Sequence, residues 1–206
     1  MNDRPEQPRN ESGRVEAFSD GVFSIAITLL VLELAVPASR GEFRADLVDD
    51  WVSYVAYLAA FGTIGVLWMG HHTVFNLVAA IDTGLLWRNL VLLLTVSVVP
   101  FPTAVIASSW RVGAEADRAV AVVAYAVVGM LSGVAWTLLF SYLRRHPNLL
   151  VPHADPAFFR LTESVITLLG YGVAALIGWY LSPAIALAIF LVFPVLYVLR
   201  VRLATG

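Results

Sequence analysis

One stretch of this sequence carries polar side chains inside an apolar run: Arg14-Val-Glu-Ala-Phe18-Ser19-Asp20, continuing through Ser24, Thr28 and Glu33 to Leu34. A polar group within hydrocarbon is expensive, so each of these needs a partner or a function. Asp20 is a carboxylate that could exchange protons. His71 and His72 stand in a second apolar run, and a carboxylate beside an imidazole is the chemistry of a proton relay. Ser24 and Thr28 add hydroxyl groups to the same run. Glu33, with Glu42, Asp46, Asp49 and Asp50 after it, could form an acidic mouth that concentrates cations, or could be ordinary solvated charge. The apolar residues between them also have a pattern. At about 100° per residue, with Ile25 as origin, Leu29 lies near +40°, Leu32 near −20° and Thr28 near −60°, while Asp20 lies near −140° and Ser24 near −100°. Ile25, Leu29 and Leu32 therefore share one face, and Asp20 points away into neighbouring helices. Such a stripe can contact lipid or another helix. It can also close a water-filled path as an apolar ring that gates by dewetting. The helical wheel leaves both open.

The elements that must position these residues follow from composition. The chain has 206 residues, 59% apolar and 14% charged, with a mean hydropathy of +0.80. A soluble domain runs at about 45–50% apolar and about 25% charged. A span needs about 20 apolar residues, and six such runs are present: roughly 14–36, 51–78, 84–107, 117–143, 157–180 and 183–203. The fold class is an all-α integral membrane protein of six transmembrane helices, with residues 1–13 as a polar cytoplasmic tail and 14–206 as the membrane domain. Continuous rather than alternating apolarity argues against a barrel. The first run is too long, and too charged at its start, for a signal peptide. There is no Cys, so thiolate metal sites and Cys nucleophiles are excluded. A net charge of −2 gives no field to attract phosphates, so no nucleic-acid partner is expected. All 13 basic residues are Arg. With the N-terminus inside, Arg4, Arg9, Arg14, Arg88, Arg144, Arg145, Arg160, Arg200 and Arg202 face the cytoplasm. Arg40, Arg44, Arg111 and Arg118 face out. The excess inside puts both termini in the cytoplasm.

Arg14-x-x-x-Phe18-Ser19-Asp20 on a first membrane helix resembles the signature of the endosomal/lysosomal potassium channel family, the transmembrane protein 175 type. Val31-Leu-Glu33-Leu34, Trp68-Met-Gly-His71-His72, Asn89 and Val99-Pro100-Phe101-Pro102-Thr103 extend the similarity through the first half of the chain. The second half is similar mainly in hydrophobicity. The resemblance implies a prokaryotic six-helix subunit, four of which assemble as a homotetramer with helix 1 lining a central pore. It implies passive, potassium-selective conduction without a backbone-carbonyl filter and without a cofactor, K+ being the permeant ion. Its partners would be its own copies, the lipid bilayer and K+, and its location the plasma membrane of a prokaryote. Ile25 maps to the narrowest apolar ring, with Leu29 and Leu32 beyond it. Thr28, and with it Ser24, maps to the hydroxyl layer that confers selectivity. Arg14, Phe18, Ser19 and Asp20 map to a packing network with Trp68, His71, His72 and Asn89, for which Asn76 and Arg88 are further candidates. Glu33 sits at the pore mouth.

Other motifs point to packing. Gly170-Tyr171-Gly172 lacks the short pore helix that a carbonyl filter requires. Gly129-Met-Leu-Ser-Gly133 is a small-xxx-small pattern that permits close helix approach. Adjacent residues on a helix point about 100° apart, so His71 and His72 are not a natural metal pair. The rival function is a proton-coupled or proton-conducting transporter using Asp20 with His71 or His72. An enzyme is not expected, since there is no nucleophile elbow or zinc motif.

Overall fold

Helices account for nearly all of the chain because its apolar runs can satisfy their backbone groups only internally. The computed structural model describes the backbone of residues 7–34 and 43–205, and the side chains of 12–34, 43–197 and 199. Eight helices follow in order: α1 Gln7–Leu29, α2 Phe43–Asp49, α3 Trp51–Phe75, α4 Thr83–Val98, α5 Pro100–Val112, α6 Glu115–Arg145, α7 Leu161–Tyr180 and α8 Pro183–Thr205. A 3-10 turn, Leu30–Glu33, continues α1. Five stretches are long and apolar enough to cross a membrane: Ser12–Glu33, Trp51–Phe75, Thr83–Val112, Glu115–Arg145 and Pro156–Tyr180. A further apolar helix, shorter over its described side chains, spans Pro183–Tyr197 within α8. The all-α membrane architecture read from the sequence is the one observed.

Three details differ from the sequence reading. Helix α1 begins at Gln7, inside the segment expected to be a tail. Pro8 falls in its first turn, where a missing N–H costs nothing. The third span runs on to Val112 and is divided at Val99, where Pro100 opens α5 and supplies no N–H to continue α4. Ser108, Ser109 and Arg111, expected in a loop, therefore lie on α5, and Gly113 and Ala114 alone separate it from α6. Between the first two spans, α2 forms a short helix. The turn Pro37–Gly41, Arg40 and Glu42 lie outside the described residues.

Side-chain caps set the helix that carries Asn89. Asp82 occupies the N-cap of α4 and accepts the Leu85 N–H at 2.7 Å and the Tyr142 hydroxyl at 2.7 Å. Burial alone would raise the Asp82 carboxyl. The Tyr142 hydroxyl and the Leu85 N–H outweigh it, with His146 and Arg88 nearby, and hold the group below its ordinary range. Gly84 is required here, because a Cβ would collide with the Tyr142 hydroxyl as it crosses to Asp82.

The interior is built around α6. Gly129 receives the buried Tyr171 ring of α7, and Gly133 lies against the Ser164 carbonyl and the backbone of Leu168. The Gly170-Tyr171-Gly172 triplet is thus helical and packs against a neighbour, as does the Gly129/Gly133 pair. A Cβ on Gly129 would stand 2.5 Å from Tyr171 Cδ1, inside any tolerable contact. Overpacking of this kind costs about 1–3 kcal/mol. Gly129→Ala is expected to lower the melting temperature of the detergent-solubilised protein by several degrees, read by intrinsic fluorescence.

Candidate pore helix and its polar anchor

Helix α1 is two-faced in a way its composition explains. Ser19, Phe23, Ala26 and Leu30 recur at spacings of three and four and are buried, at 2% exposure or less. On the opposite side Ser24, Ile25, Thr28, Leu29 and Leu32 are exposed, with Ile25 at 62%, Leu29 at 42% and Leu32 at 74%. The stripe derived from the wheel is therefore one uncovered face of the subunit, and Ser24 belongs to its edge.

Polar bonds fix this rotation. The Ser19 hydroxyl donates to the Val15 carbonyl at 2.8 Å, so its oxygen is left to accept, and the Asn89 Nδ2 donates to it at 3.0 Å. That orients the Asn89 amide, whose Oδ1 must accept from His71 Nε2 at 2.9 Å. The chain Val15–Ser19–Asn89–His71 thus ties α1, α4 and α3 together. Ser19, Asn89 and His71 are exposed by no more than 2%. The His71 ring lies 4.1 Å from Phe75 and 5.4 Å from Phe23, centroid to centroid. Its Nδ1 is buried with no partner among the described residues.

A second, more exposed set lies beside the first. Trp68 Nε1 donates to Asp20 Oδ1 at 2.9 Å. His72 Nδ1 donates to Glu16 Oε1 at 3.1 Å, and its Nε2 accepts from Asn76 Nδ2 at 3.1 Å. The Trp68 and His72 rings stack at 5.9 Å. Glu16 and Asn76 thus join the anchor; Glu16 was not singled out from the sequence, although it stands four residues before Asp20 on the same helix. Asp20 and His71 go to different partners, so the pair proposed for a proton relay shares no hydrogen bond. His71 and His72 likewise turn to separate neighbours. Among the described residues no group of three His, Asp or Glu could hold a metal ion.

Several expected members fall elsewhere. Phe18 is 57% exposed, because it stands seven residues before Ile25, two helical turns, and so shares its face. Arg14 is exposed and has no hydrogen bond or ion pair among the described residues. Arg88 donates to the Gly84 carbonyl at 2.7 Å and lies 3.9 Å over the Tyr142 ring, away from α1. Glu33 is partly buried. Asp50, a candidate either for an acidic mouth or for solvated loop charge, is paired with Arg111 at 2.9 Å.

A family model described as the endosomal/lysosomal potassium channel TMEM175 matches residues 14–100. A potassium channel of Streptomyces collinus is 41% identical over 180 residues, covering 84% of this chain and 85% of its own. The chain belongs to the TMEM175 family. The crystal structure of a lysosomal potassium-selective channel TMEM175 homologue from Chamaesiphon minutus superposes with a TM-score of 0.78 at 34% identity. It covers 93% of this chain and 98% of that one. The human endosomal/lysosomal proton channel TMEM175 is 40% identical over 72 residues, 30% of this chain and 14% of its own. The family is one of ion channels, not enzymes, and this member is a multi-span membrane protein.

The anchor makes a measurable demand. Asn89→Ala leaves His71 with neither nitrogen bonded and removes the tie to Ser19. An unsatisfied buried polar group costs about 1–3 kcal/mol, and interhelical bonds in membranes average toward the lower end. The variant is expected to melt several degrees below wild type in detergent, by the same fluorescence assay.

Proposed function

We propose that this protein is a passive, potassium-selective channel of the plasma membrane, a homotetramer in which four copies of α1 line a central pore. Residues 14–206 form the channel domain, with both termini in the cytoplasm on the Arg-rich side. The observation that carries this reading is the uncovered face of α1: Ser24, Ile25, Thr28, Leu29 and Leu32 are exposed on a helix whose other side is buried and bonded. Relatives named as potassium channels and a homologue titled potassium-selective support the ion.

That face also carries a hydroxyl suited to meeting a cation. Thr28 Oγ1 donates to the carbonyls of Ser24 and Ile25, at 2.9 and 3.0 Å. Its hydrogen is thereby used within the helix, and its remaining lone pairs are free to accept a cation. Ile25 forms the tightest ring, Leu29 and Leu32 extend it, and a branched apolar ring empties of water when narrow. Thr28, with Ser24 beside it, supplies oxygen to the partly dehydrated ion, and Glu33 stands at the outer mouth. Asp20, His71 and the residues bonded to them orient α1 and do not touch the ion.

Two substitutions test this. Ile25→Asn places a polar group in the ring and is expected to raise single-channel conductance severalfold in planar bilayers; an unchanged current would remove Ile25 from the gate. Thr28→Ala is expected to lower the potassium-over-sodium permeability ratio, measured from bi-ionic reversal potentials.

Proton conduction is the second reading, favoured by the name of the human relative. A pH gradient across symmetrical potassium separates the two: a potassium channel keeps its reversal potential at zero, and a proton path shifts it.

A further inference from the structure

Helix 1 has a second fixation point, at the end opposite its anchor. The last turn of α1 tightens to 3-10 geometry over Leu30–Glu33, and the final carbonyls of a helix have no partner within it. Arg111, in the last turn of α5, donates from Nη2 to the Glu33 carbonyl at 3.0 Å. The same guanidinium donates from Nε to Asp50 Oδ1 at 2.9 Å and from Nη2 to the Ser53 hydroxyl at 3.1 Å. Ser53 in turn donates to Asp50 Oδ1. Asp50 is 13% exposed and Arg111 35%, so the pair is partly shielded from solvent. One side chain thereby joins the end of α1 to the start of α3 and the end of α5.

We infer that Arg111 is a positioning residue for the pore: its bond to the Glu33 carbonyl, braced by Asp50 and Ser53, holds the outer turn of helix 1 so that Leu32 keeps its place in the apolar lining. This rests on the pore reading given above. Leu32 lies one residue from the bonded carbonyl, on the same turn, and its side chain is 74% exposed. Charge-assisted bonds from a fixed guanidinium are among the stronger protein hydrogen bonds. The bonded atom is a main-chain oxygen, so the hold acts on the backbone of the turn and is independent of the Glu33 side chain. Without it, the part of the turn beyond the buried Leu30 loses its polar tie to α5.

The chain contains no Cys, so Leu32→Cys introduces a single thiol. A charged methanethiosulfonate reagent, added on both sides of a planar bilayer, then reports access to that position by block of current. In the otherwise wild-type channel the thiol is expected to react and block. Adding Arg111→Gln or Asp50→Asn is expected to lower the rate of modification about tenfold, since either lets residue 32 leave the lining. The two brace variants guard against one failing to assemble, and melting temperature is measured beside each. A rate unchanged in both, or a fall in melting temperature with no change in rate, overturns the positioning role while the pore reading stands. If Leu32→Cys never blocks, the pore reading fails and the positioning role falls with it.

Discussion

The structure depends on the rotation of one helix about its own axis. A turn of α1 by a third would bury Ile25 and Leu29 and expose Ser19 and Phe23. Hydrophobicity alone scarcely opposes this, because lipid is as apolar as the bundle interior. What opposes it is the run from the Val15 carbonyl through Ser19 and Asn89 to His71, in which each hydrogen has one acceptor. Polar groups in a membrane interior have few alternative partners, so a short chain of such bonds specifies an orientation that apolar packing leaves loose.

That polar run divides the labour of the family motif. Ser19 and Asp20 are consecutive, yet they serve different neighbours: Ser19 reaches Asn89 in the interior and Asp20 reaches Trp68 near the surface. Phe18 takes neither direction and lies on the uncovered face with Ile25. The histidines divide in the same way. His71 is enclosed between Phe23 and Phe75, and His72 stands outside with Glu16 and Asn76.

Much of this was legible in the sequence because it is local. The stripe on α1, the helical reading of Gly170–Gly172 and the glycine seam on α6 follow from spacing and from the bilayer's demand for internally bonded backbone. Joining Ser19 to Asn89 needed the family resemblance, because a separation of 70 residues carries no periodic signal. Arg111 was read as loop charge, since a run of Ser, Gly and charge looks like a turn. Its helix persists because this end of the span has bonding partners for Arg111 in Asp50, Ser53 and Glu33. The division at Val99 was foreseeable from Pro100, but the apolar run across it hid the break. The early start at Gln7 was hidden by prolines that a first turn tolerates.

Gly113 and Ala114 are all that connects the end of α5 to α6, the longest helix. Two extended residues reach only about 7 Å beyond their flanking positions. The guanidinium that grips the Glu33 carbonyl is therefore on a short leash to α6. A tilt of α6 therefore pulls on the end of helix 1, which gives motion at the centre of the bundle a mechanical route to the helix proposed to line the pore.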